Sequence, residues 1–159
     1  MGADLDGDSG DNHGGAVSLS GDGMRLAVGA KKHDKDGASS TDEDHGRVRV
    51  YRWLSFKWEQ LGSDITGEVD DEAGSAVSLS KDGSRLAVGV AQEKSKGTGK
   101  VRVYHYDDVS SDWNKLGADL VGEENEDMFG STVAISGSGA RLAVGAPYHD
   151  PGGLEKQSA

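Results

Sequence analysis

The 159-residue chain has no cysteine, which excludes disulfide staples, zinc–thiolate centres and a cysteine nucleophile. The compartment stays open, because many secreted proteins also lack disulfides. Only two prolines occur, too few for a Pro-rich linker. No stretch approaches the roughly 18 apolar residues of a membrane-spanning helix. No basic-then-apolar segment follows Met1, so the expectation is a cytosolic protein or a chain that begins downstream of a signal. Positive charge is scarce: 17 Lys and Arg stand against 28 Asp and Glu, for a net charge of −11. Such a surface repels phosphate backbones and anionic membranes. Cations, basic proteins and neutral ligands remain open as partners. Catalytic signatures are missing as well, with no GxSxG elbow, HExxH, phosphate loop or dinucleotide fingerprint. The five histidines, His13, His33, His45, His105 and His149, have no spacing that sets two beside a nucleophile. The expectation is a protein that is not an enzyme.

Glycine is abundant, at 25 residues, and apolar residues make up 34%, together ordinary for a globular chain. The glycines fall in a repeat. "RLAVG" begins at Arg25, Arg85 and Arg141, preceded by "GAVSLS" from Gly15, "SAVSLS" from Ser75 and "STVAIS" from Ser131. "VRVY" occurs at Val48 and Val101, and "WEQLGSDITGE" from Trp58 is echoed by "WNKLGADLVGE" from Trp113. Repetition in a constant order at a long period marks a stacked architecture.

Each unit holds four strand-like runs. The first alternates apolar and small residues, the period of a half-buried strand. An Asp-Gly or Ser-Gly turn ("SGDGMR", "SKDGSR", "SGSGAR") leads into "RLAVG" as in a hairpin. "VRVY" is the third run, and the fourth starts at Trp58 or Trp113. No stretch has the apolar period of an amphipathic helix, so the fold class is all-β. Four antiparallel strands per unit read as β-propeller blades packed face to face. In "LAVG", Leu26 and Val28 share one side, while Ala27 and Gly29 give the neighbouring blade room to approach. A β-sandwich is the alternative, but it does not require near-identical strand sets at a fixed period.

"FGSTVAISGSGARLAVGAPYHD", from Phe129 to Asp150, resembles the FG-GAP repeat of integrin-α-like propellers, with Phe129-Gly130 as the FG element and Gly145-Ala146-Pro147 as GAP. The first two copies are degenerate: Gly14-Gly15 and Ala73-Gly74 replace FG, and no proline follows Gly29-Ala30 or Gly89-Val90. The resemblance implies calcium in the first-to-second-strand loop, held by a DxDxDG-type ladder. Here those loops carry one carboxylate each, Asp22 and Asp82, and the third has none. One carboxylate cannot supply six to eight oxygen ligands, so no metal or other cofactor is expected there. The resemblance also suggests an extracellular or cell-surface setting.

"DLDGDSGD", from Asp4 to Asp11, is spelled like a calcium loop but aligns with "DITGEVDD" from Asp64 and "DLVGEENE" from Asp119, where the acidic ladder is not repeated. It reads as a blade-to-blade connection whose Asp4, Asp6, Asp8 and Asp11 are candidates for a weak, adventitious Ca2+ site only. The second-to-third-strand loops share that face and vary most. The first, Lys31 to Gly46, carries Asp34, Asp36, Asp42, Glu43 and Asp44, the candidate binding residues for a basic partner. A solvated polar loop is the competing description. Trp53 and the aligned Tyr106 are the aromatics a sugar-binding surface would use. Arg25, Arg85 and Arg141 are expected to anchor turns or neighbouring blades.

The units span roughly residues 15–68, 74–123 and 130–159, the last truncated, with residues 2–6 ending a preceding blade: one partial propeller of about two and a half blades over 1–159. Propellers close with about 4 to 8 blades, so the expectation is a fragment of a larger protein or a chain that self-associates through exposed blade faces. The function expected is a non-catalytic module presenting acidic loops to a protein partner. A carbohydrate-binding propeller and a scaffold segment of a larger secreted enzyme are the alternatives.

Overall fold

The computed structural model describes residues 4–34, 43–92 and 97–149. They form twelve strands and no helix. The first antiparallel sheet contains β1 (His13–Leu19), β2 (Arg25–Ala30), β3 (Arg47–Leu54), β4 (Lys57–Gln60) and β5 (Ile65–Thr66). Both β4 and β5 pair with β3, so they are two halves of one outer strand and the sheet is a four-stranded blade. The second blade repeats it with β6 (Ala73–Leu79), β7 (Arg85–Val90), β8 (Lys100–Asp107), β9 (Asp112–Lys115) and β10 (Leu120–Val121). The third unit shows one hairpin, β11 (Thr132–Ile135) with β12 (Leu142–Gly145). The protein is all-β, and the described residues make an incomplete propeller of two four-stranded blades and one hairpin that do not close a ring.

The hairpin turns use the same chemistry twice. Ser20 Oγ donates to Asp22 Oδ1 at 2.6 Å, the Met24 amide donates to the same oxygen at 2.9 Å, and the Arg25 amide donates back to Ser20 Oγ at 2.9 Å. Ser80, Asp82, Ser84 and Arg85 reproduce the pattern. A short polar side chain that satisfies turn amides is what specifies such a turn. Each aspartate's oxygens are therefore held by the turn itself. In the third copy Ser138 replaces the aspartate; its Oγ lies 3.3 Å from Ser136 Oγ, and the Arg141 amide still donates to Ser136 Oγ at 3.0 Å.

Blades pack through alternation. Ala27, Val48 and Val50 of the first blade meet Val77, Leu79, Leu86, Val88 and Tyr104 of the second in one buried cluster. Glycine sets the spacing where backbones touch. A Cβ on Gly29 would lie 3.0 Å from the Gly74 carbonyl carbon and closer still to its oxygen, and a Cβ on Gly89 would collide likewise with the Gly130 carbonyl. Gly74 and Gly130 take φ of 90° and 93°, open only to glycine without strain. The Gly of the FG position thus plugs into the Gly that ends "RLAVG" in the preceding blade. The turns are also linked, Gly21 N–H to Lys81 O at 2.7 Å and Lys81 N–H to Gly137 O at 3.0 Å. Arg25 reaches across as expected: Nη1 donates to Gly83 O at 3.0 Å, and the guanidinium lies 5.2 Å from the Tyr106 ring centroid.

Candidate functional site

Antiparallel connectivity puts the inter-blade segments and the β2–β3 and β7–β8 loops on one face, which collects most of the charge. Its organising residue is one aspartate per unit, Asp11, Asp71 and Asp127, all buried. Each folds its own loop by accepting the amide three residues upstream: Asp8 at 3.1 Å, Glu68 at 3.0 Å and Glu124 at 3.3 Å. A buried carboxylate requires a cation, and alternate residues of β3 and β8 supply it.

In the first blade Arg47 Nη2 donates to Asp8 Oδ2 and Asp11 Oδ2, both at 3.0 Å, while Arg49 Nε donates to Asp64 at 3.0 Å. In the second, Lys100 Nζ and Arg102 Nη2 reach Asp71 at 3.1 and 2.7 Å, and Arg102 Nε reaches Asp119 at 3.0 Å. Burial pushes the Asp71 carboxyl up, but the Glu68 amide, Lys100 and Arg102 together hold it below the usual carboxylate range. In the third unit His149 Nδ1 lies 2.9 Å from Asp127 Oδ2, and that hydrogen bond raises the imidazole pKa. The basic residues of "RVRVY" and "KVRVY" thus tie each blade's entry loop to its exit strand.

Of the acids in the opening stretch, Asp8 and Asp11 converge, and with His33 their ligand atoms lie within 4.8 Å of one another. The Arg47 guanidinium holds both carboxylates, so a second cation there would face its full charge. His33 sits in the same cluster, its Nε2 3.3 Å from Arg47 Nη1, and burial beside Arg47 lowers its pKa. Asp4 and Asp6 are exposed and form no ion pair among the described residues.

Of the β2–β3 loop candidates, Asp36 and Asp42 lie outside the described residues. Asp34 and Glu43 are half-buried and Asp44 is buried. The returning chain docks on the next blade's entry: Asp70 N–H donates to Glu43 O at 2.7 Å and Glu72 N–H to Asp44 O at 2.9 Å. The freely displayed acids come instead from the inter-blade loops, where Glu68, Glu123 and Glu124 are exposed and have no ion-pair partner among the described residues.

Tyr106 does not present a sugar platform. It is only 8% exposed, packed against Trp113 with ring centroids 5.3 Å apart and planes inclined by 60°, and covered by Arg25. Its repeat equivalent Trp53 is half-exposed because no blade covers that side. A shallow depression of about 230 Å3 lies where the three units meet, lined by residues such as Asn12, Lys31, Ser75, Met128 and Ser131. That is below the roughly 300–1,000 Å3 of ordinary ligand pockets.

Residues 121–159 match the family model described as FG-GAP repeat, which covers the unit where Phe129-Gly130 and Gly145-Ala146-Pro147 stand. No curated protein matches the sequence. Among solved structures the chain is similar to one titled Kuenenia stuttgartiensis Hydrazine Synthase, at 16% identity and a TM-score of 0.46, over 84% of this chain and 45% of that one. The chain thus spans less than half the length of that protein, and a score at this level carries no argument about fold or activity.

Proposed function

We propose that this chain is a non-catalytic interaction module whose loop face receives a basic segment of a protein partner. The supporting observation is the division of labour among its acids. Asp11, Asp71 and Asp127 are buried and paired, whereas Glu68, Glu123 and Glu124 lie in the corresponding loops of successive units, exposed and unpaired among the described residues. A row of acids on a rigid scaffold steers a cationic partner and sets its register, with rim charges acting mainly on the association rate. The FG-GAP match is consistent with such a role. The reading needs no cofactor, and its contacts are electrostatic.

The test uses a Lys/Arg-rich peptide as probe, titrated by fluorescence anisotropy at low and physiological salt. Binding that weakens with salt, and by tenfold or more in the triple variant Glu68→Lys, Glu123→Lys, Glu124→Lys, supports the reading. Binding unaffected by the triple reversal, or no binding at low salt, refutes it.

A further inference from the structure

The buried-aspartate cluster of the first blade differs from that of the second in holding two histidines. His13 opens β1, and His33 follows the end of β2. In the second blade Ala73 takes the place of His13, and Glu93 follows Gly89 at the distance at which His33 follows Gly29. The carboxylate–cation pairs recur in both blades, so the histidines are an addition to a junction that closes without them.

Geometry fixes the protonation state of His33. Its Nε2 lies 3.3 Å from Arg47 Nη1. A guanidinium only donates, so Nε2 accepts and the ring proton sits on Nδ1, which faces Asp8 Oδ2 at 3.7 Å. A proton on Nε2 would set donor against donor and charge against charge. Arg47 is buried and already committed: its Nη2 holds Asp8 and Asp11, and its Nη1 lies 3.6 Å from Asp64. His13 has both ring nitrogens buried without a hydrogen-bond partner among the described residues, a setting for a neutral ring.

The charges facing both rings are Asp8 and Asp11 from the entry loop and Arg47 and Arg49 from β3. Lys32 and Asp34 flank His33 in the chain, and the returning loop brings His45, 3.8 Å from Glu43. Burial, helped by Arg47 and Arg49 and opposed by the two aspartates, lowers the pKa of each ring.

We propose that His13 and His33 make this junction an acid-sensitive latch, shut while both rings are neutral and released when they take up protons. The Lys32 amide donates to Asp11 O at 3.2 Å, the His13 amide to Asp11 Oδ1 at 3.0 Å and the Gly46 amide to His33 O at 3.0 Å. These bonds tie the entry loop, β1 and both ends of the β2–β3 loop together. Protonated His33 draws Asp8 away from Arg47. With His13 charged as well, both rings, Arg47 and Arg49 outnumber Asp8, Asp11 and Asp64. Release frees the returning loop, whose Glu43 and Asp44 carbonyls receive the Asp70 and Glu72 amides, and so loosens the loop face at one blade. Because the closed form needs neutral rings, its stability is complete above the unfolded histidine value of about 6.5 and is lost as pH falls below it. Glu68, Glu123 and Glu124 take no part, so the latch and the peptide reading can fail independently.

Hydrogen exchange of the full chain, corrected for intrinsic rates, at about pH 7.5 and about pH 5 tests the latch, with NMR titration of the imidazoles alongside. Carboxylates, with a reference value near 4, stay ionised over that interval. The His13, Lys32 and Gly46 amides are expected to lose protection in acid by roughly threefold or more. The Ala91 and Gly122 amides, bonded to Ser75 Oγ and Gly99 O in the second blade, are expected to hold theirs. The double variant His13→Ala, His33→Gln copies the second blade's alanine and keeps an oxygen that accepts from Arg47, so its protection is expected to be equal at both pH values. Circular dichroism checks its fold, and His33→Gln alone, with a smaller loss than wild type, serves if the alanine loosens the loop by itself. Imidazoles that titrate at or above the unfolded value overturn the proposal, as does protection that ignores pH. So does a loss shared equally by the second blade, or a folded variant that loosens in acid as much as the wild type.

Discussion

Replacing Gly29 by alanine separates two effects of opposite sign. Gly29 lies in the middle of the sheet with ordinary strand dihedrals, so alanine alone should stabilise by about 0.5–1 kcal/mol through lost unfolded-state entropy. The structure places the Gly74 backbone against it: a Cβ would lie 3.0 Å from the Gly74 carbonyl carbon, 3.2 Å from its Cα and well inside contact with its oxygen. Carbon–oxygen contacts sit at about 3.3 Å or beyond, so the two blades must part by roughly 1 Å. No side chain can swing aside to relieve this, because every atom in the way is backbone. Overpacking of this kind costs typically 1–3 kcal/mol, leaving a net loss of about 1–2 kcal/mol. For a chain of this size that lowers Tm by roughly 2–8 °C. Gly137→Ala is the control: its Cβ would meet only the Lys81 side chain, Cβ at 3.4 Å and Cδ at 4.0 Å. Urea unfolding followed by tryptophan fluorescence measures both. A Gly29→Ala protein as stable as wild type or more so would refute the interlocking-glycine account of blade spacing.

Asp71→Ala leaves Lys100 and Arg102 facing a dry site beside the orphaned Glu68 amide, and removing one partner of a buried pair costs about 3 kcal/mol or more, read as a shift in urea midpoint. Trp113→Phe replaces the buried indole by a smaller aromatic ring and deletes the 2.9 Å bond from Nε1 to the Leu61 carbonyl of the neighbouring blade; a loss of about 1–2 kcal/mol from the bond, with a further cost for the lost volume, is expected by denaturation, and an unchanged midpoint would deny that bond a role. Acid should weaken the fold in a defined window. Hydrogen bonds from Ser80 and Ser84 hold the Asp82 carboxyl at about 2, so its contribution is complete above the unfolded value of about 3.9 and disappears as pH falls through about 2; Asp82→Asn should flatten that part of a stability-against-pH curve. Calorimetric titration with Ca2+ should show no tight stoichiometric uptake, and two or more tightly bound ions would overturn the reading of the turn aspartates as structural.

The fold was legible because the repeat displays its own packing rules. "LAVG" at a fixed place in three units announces an apolar side and a small side, and Ala27 and Gly29 indeed face the next blade. Arg25 likewise anchors the neighbouring turn. The charge network was harder to read. Asp11 is one of four aspartates in "DLDGDSGD", and nothing in composition marks it as the buried one. Its equivalence to Asp127 is hidden by a one-residue insertion in "GEENEDMFG". Aligning backwards from the glycines at 14, 74 and 130, rather than forwards from Asp4, Asp64 and Asp119, would have exposed it. The basic partners were concealed differently: Arg47, Arg49, Lys100 and Arg102 sit inside strands, where alternation identifies their face but not what lies opposite. Tyr106 reads from the sequence as a surface aromatic because its burial depends partly on Arg25 of the preceding blade, far away in sequence, as well as on its hairpin partner Trp113.

The same geometry explains why the two halves of the FG-GAP signature recur together. The FG glycine must adopt φ near 90° so that its carbonyl turns towards the preceding blade, and the glycine ending "RLAVG" must lack a Cβ to receive it. Neither requirement is met within one blade; each is imposed by the next. A substitution at either position alone therefore acts on the junction rather than on the hairpin that carries it. In the degenerate first unit Phe is gone and the glycines persist, as expected if the phenylalanine adds only local packing while the glycines set the distance between sheets.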